Sequence, residues 1–71
     1  MVDIDRLKDE MVDSGMTMTA IAAKSGIVKA TLYNRLKGVG DFTADEIVAL
    51  SETLHFTPET MTEIFLSKNV N

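Results

Sequence analysis

Apolar residues recur at helical spacing in five separate runs along the 71 residues, and most runs open on a residue able to cap a helix. Ile4, Leu7 and Met11 form the first stripe, with Asp3 placed as N-cap, Asp5 near the positive end of the helix dipole, and Ser14-Gly15 as the stop. Thr17 opens the second run, whose inward positions are Ile21 and Ala22. Gly26 closes it, because glycine enters the left-handed region without a Cβ penalty. Ile27 fills the corner, and Leu32 and Leu36 are the inward positions of a third run from Lys29 to Lys37. Lys29, Ala30, Tyr33, Asn34 and Lys37 fall on its outward side, and Gly38 ends it. After the loop Val39-Gly40-Asp41, Phe42 returns to the core and Thr43-Ala44-Asp45-Glu46 reads as a capping box. Ile47, Leu50 and Leu54 follow as the fourth stripe. Thr57-Pro58 begins the last helix, with Pro at the first helical position, and Met61, Ile64 and Phe65 form its apolar side. A polar tail, residues 67–71, is expected to fray. The expectation is an all-α, five-helix single domain over residues 1–71.

The second and third runs have a more specific relationship. A small residue at Ala22, glycine four positions later, Ile27 next, and Leu32 five beyond that is the pattern of a helix-turn-helix, here over residues 17–37. Ala22 is small where two helices must cross closely beside a tight turn. The stretch resembles the core of lambda-repressor-like domains, and that resemblance implies a lambda-repressor-like fold.

Composition narrows the class. A chain of 71 residues is small for a fold and buries only about 60% of the surface of its unfolded form, so a partner or a second copy can matter to its stability. Phe56, Phe65, Leu66 and Val70 offer either plain core packing or surplus apolar surface for a homodimer. There is no cysteine, hence no disulfide and no thiolate ligand. Asp3, Asp5 and Arg6 do not fit a signal peptide, and the longest apolar run, Ala20 to Ala23, is too short for a membrane span. A soluble intracellular protein is expected. An enzyme is not: no histidine pair, nucleophile elbow or phosphate loop is present. His55 stands alone in a loop, so neither a metal nor another cofactor is expected. Adjacent acids such as Asp9 and Glu10 point in different directions from a helix and read as a solvated face.

The net charge of −4 is unusual for a nucleic-acid binder, but it is sorted along the chain. Residues 1–15 carry Arg6 and Lys8 against Asp3, Asp5, Asp9, Glu10 and Asp13, a balance of −3. Residues 16–40 carry Lys24, Lys29, Arg35 and Lys37 and no acid, a balance of +4. Residues 41–71 set Lys68 against six acids, a balance of −5. The positive stretch coincides with the helix-turn-helix.

The run from Met16 to Gly38 resembles the helix-turn-helix of phage repressor and Cro-like regulators. The stretches Asp41 to Ile47 and Glu63 to Val70 resemble the later helices of small regulators from temperate phages of Gram-positive bacteria. The resemblance spans nearly the whole chain and implies a role in a lysis–lysogeny switch, in the cytoplasm of the host bacterial cell. The chain departs from these relatives at two places. Where many carry a glutamine that reaches a DNA phosphate, it has Met18. Where they commonly carry a serine that caps the recognition helix and contacts phosphate, it has Val28. Each is read either as folded onto the domain or as an exposed apolar contact, with exposure favoured for Val28. Arg35 stands where many relatives have an apolar residue, which leaves its direction open.

Two functions compete on these residues. In Cro-like operator binding, Lys29, Tyr33, Asn34 and Arg35 would enter the major groove while Lys24 and Lys37 contact phosphates, and a dimer would read two half-sites. The loss of two phosphate-contact side chains weakens that reading. In the second, the chain is similar to modulator-of-repression proteins, antirepressors that cover a partner phage repressor. Met18, Val28, Ala30 and Tyr33 suit a small protein interface, and the acidic ends would draw in a basic partner. The second reading is preferred, and exposure of Met18 and Val28 is the feature on which it turns.

Overall fold

Why each helix begins where it does is visible in its caps. The computed structural model describes residues 2–66, so the tail at 67–71, with Val70, lies outside the described residues. Among those described there are five helices and no strand: α1 (Ile4–Asp13), α2 (Met18–Ser25), α3 (Lys29–Leu36), α4 (Ala44–Thr53) and α5 (Pro58–Phe65). Asp3 accepts from the Arg6 N–H at 3.0 Å, Thr17 from Ala20 at 3.1 Å and Thr57 from Thr60 at 3.1 Å. Thr43 and Glu46 exchange both bonds of a capping box, at 3.1 and 3.0 Å. Such caps satisfy donors that the helix itself cannot, each worth about 0.5–2 kcal/mol. The exception is α3. Its N-cap is Val28, which has no side-chain hydrogen bond to offer.

The α2–α3 corner is built locally. Gly26 adopts φ 74° and returns its N–H to the Ala22 carbonyl at 3.0 Å. Ser25 Oγ accepts from the Ile27 N–H at 3.3 Å, and Ile27 is buried beneath the turn.

Each of the five helices contributes one fully buried side chain to a common core: Leu7, Ile21, Leu32, Leu50 and Ile64. Met11, Ala22, Ile27, Leu36 and Phe65 complete it. Phe42, half-buried, meets Phe65 edge to face with ring centroids 5.5 Å apart, a geometry favoured by the aromatic quadrupole. α2 packs on α3 and α4, while α5 closes the domain against α1 and α4. Ile47, Leu54 and Met61, placed inward by their spacing, are half-buried against the core, while Ile4, also placed inward, is half-buried outside that packing. Ser51 is the one buried polar residue among those described.

The chain's start is tied to its last helix. The Asp3 N–H donates to the Ile64 carbonyl at 2.7 Å. Arg6 Nη1 donates to Glu63 at 2.9 Å and Arg6 Nε to Glu10 at 3.4 Å. These two carboxylates, Glu63 foremost, raise the affinity of the guanidinium for its proton. Of the apolar residues that sequence offered for self-association, Phe65 is buried, Phe56 is half-buried and Leu66 is exposed.

Candidate interface around the third helix

α3 stands out from the domain on its inward pair Leu32 and Leu36, and so must expose the remainder. Lys29, Ala30, Tyr33 and Asn34 are exposed, as are Lys37 just past its end and Lys24 at the end of α2. The Lys29 ammonium is held in place: it donates to Thr19 Oγ1 at 2.7 Å and lies 6.0 Å from the Tyr33 ring centroid. Val28, at the start of α3, is 69% exposed.

Two of the nine candidate residues are placed otherwise than the interface readings require. Met18 is half-buried and packs against the core, beside Met11, Met16 and Ile21 in the groove lining. Its side chain is a wall of a groove and not a free contact. Arg35 turns away from the outward side of α3. Its Nε donates to Glu46 Oε1 at 3.3 Å and its Nη1 to the Val39 carbonyl at 3.3 Å. Both partners of the ion pair are largely covered, at 22% and 17% side-chain exposure. The same Glu46 oxygen that accepts from the Thr43 N–H in the capping box thus also holds Arg35. The guanidinium lies over Gly40, where a Cβ would stand 2.5 Å from Nη1, so glycine there leaves the room that the pair needs.

The surfaces on the two sides of α3 differ in kind. On one side Val28 and Thr31 share a shallow depression with Ala49, Asp45 and Glu46 of α4. On the other, a groove of about 460 Å³ runs between α1 and α3, with Met11, Met16, Met18, Tyr33 and Leu36 along it and Lys8 and Lys37 as its charged members. Sequence reasoning passed over Lys8, Met16 and Asp45 as site residues, since each belongs to another element. The one available signal was the concentration of methionine at 11, 16 and 18.

The cations divide by type. Arg6 and Arg35 are both spent in intramolecular ion pairs, whereas Lys8, Lys24, Lys29 and Lys37 form none among the described residues. The guanidinium is the side chain best shaped for bidentate reading of guanine, and none is presented on α3. Among the described residues no cluster of His, Asp and Glu could hold a metal ion, and no helix is long and apolar enough to cross a membrane.

Compared with family models, with curated proteins and with solved structures, the chain gives no significant match.

Proposed function

We propose that the chain is a small helix-turn-helix regulator, not an enzyme, and that it acts in a temperate-phage switch by binding a partner repressor. In this reading α2 and α3 are the helix-turn-helix, supported by the left-handed Gly26, the buried Ile27 beneath it and the packing of α3 on Leu32. The observation that carries the partner reading is Val28. It is exposed and uncapped at the start of α3, and it shares its depression with Asp45 and Glu46. A DNA phosphate at that position would meet a methyl surface and a carboxylate. A basic protein surface would find an apolar contact with the exposed carboxylate of Asp45 beside it, Glu46 being paired with Arg35. On the flank where the partner docks, Glu46 cancels Arg35 and Asp45 is left as the acid beside Val28.

Direct operator binding is the second reading, and the exposed Lys24, Lys29 and Lys37 beside Tyr33 and Asn34 favour it. One pair of measurements separates the two. DNA from upstream of the chain's own gene is titrated with the purified protein over a range of salt. The repressor encoded beside it is then titrated by calorimetry. The expected result is no sequence-specific DNA binding at low salt and a saturable complex with the repressor. Sequence-specific binding that weakens with salt, at a slope near −3 for three lysine–phosphate contacts, overturns the partner reading.

A further inference from the structure

The groove on the other side of α3 has its own chemistry, which repressor binding through Val28 does not use. We infer that it binds an amphipathic helix of a partner protein whose apolar stripe is flanked by carboxylates.

The floor and walls are apolar, and three of them are methionines, Met11, Met16 and Met18. Methionine adapts to differently shaped apolar partners because it is unbranched and polarizable. Val12, at the rim, is 77% exposed, more than any other large apolar side chain among those described. The charges lining the groove are Lys8 and Lys37, on separate elements, and neither is in an ion pair among the described residues. Asp5, Asp9 and Asp13 of α1 are exposed but do not line it. The charged side chains that line the groove, on α1 and at the end of α3, are thus both positive, and the acids of α1 lie outside its lining. That is complementary to acids, and opposed to the basic surface proposed for the Val28 side.

The secondary structure of the occupant follows from the walls. These are mainly helices, whose backbone groups are already used, so the groove offers no ladder to an extended strand. A helix satisfies its own backbone and needs only side-chain contacts, with anchors at i, i+3 or i+4, and i+7.

The test uses the full chain and two short helical peptides with one shared leucine stripe, flanked in one by glutamate and in the other by lysine. Methyl NMR follows Met11, Met16 and Met18. The glutamate peptide is expected to shift these methyls and to bind more weakly as salt rises. The variant Lys8→Glu/Lys37→Glu should lose about tenfold or more in affinity for it and gain affinity for the lysine peptide. Lys37→Gln gives a milder loss and guards against a helix-end effect of the acid, with far-UV circular dichroism as the folding control. Val28→Asp, on the opposite side, should leave peptide affinity unchanged even where it abolishes repressor binding. The proposal is overturned by unmoved methyls, by equal affinity for the two peptides, or by loss of peptide binding in Val28→Asp. It is equally overturned if the same methyls shift with protein concentration alone, which would make a second copy the occupant.

Discussion

The two flanks of α3 share a helix but no lining residue: one sets an exposed valine beside Asp45 and the paired Glu46, the other sets lysines around methionines. Helix polarity accounts for much of the difference. The Val28 flank faces the N-terminus of α4, where the capping box and the dipole favour acids, and Asp45 and Glu46 occupy its first turn. The groove flank reaches the C-terminal end of α3, where a cation is favoured and Lys37 is the C-cap. Residues that serve helix ends thus set the sign of the surface beside them. A charge balance taken along the chain cannot see this, because the +4 of residues 16–40 is answered by acids from α4 only in the folded protein.

The largest effect should come from the buried residue that seats α3 in the core. Leu32→Ala empties a fully buried site and should cost about 2–5 kcal/mol in urea unfolding. Binding on both sides should fall together, and selective loss of one would show the flanks to be supported independently. Next comes Gly40→Ala. Gly26 and Gly40 have the same φ of +74°, but a Cβ at Gly26 meets nothing while one at Gly40 strikes Arg35. Each alanine should cost roughly 1–2 kcal/mol for its left-handed backbone. Gly40→Ala should cost more, and the excess should vanish in an Arg35→Ala background. An excess that persists there would mean that the Arg35–Glu46 pair does not shape the loop.

Val28→Asp separates stability from binding. Aspartate is a good N-cap where valine is none, so the domain should gain about 0.5–2 kcal/mol while losing the proposed repressor complex. Retention of the complex would remove Val28 from the interface. A smaller effect is expected from Met18→Gln combined with Val28→Ser, which supplies phosphate-binding side chains at the two positions that lack them. Weak DNA binding at low salt should appear, by about 1 kcal/mol per hydrogen bond gained, in a gel-shift titration. If it does not, the carboxylates beside Val28 dominate that flank. Smallest of all is Glu63→Gln. Arg6 keeps Glu10 and the pair is solvent-exposed, so denaturation midpoints should coincide with those of the unchanged protein.

The sequence by itself determined the elements. Caps at Asp3, Thr17, Thr43 and Thr57, the left-handed turn at Gly26, and one central apolar residue per helix all follow from interactions within a few residues, and they appear in the fold where the spacing placed them. The missing cap at Val28 was legible for the same reason. Tertiary structure decided what lies beside α3. Helical periodicity says which side of a helix faces inward but not which neighbour it meets, so Arg35 read equally well as an outward contact until Glu46, eleven residues on, took its charge. Met18 likewise became a groove wall only when α1 brought Met11 and Lys8 alongside. Contacts between elements depend on how the helices pack around the shared core, and no local rule carries that information.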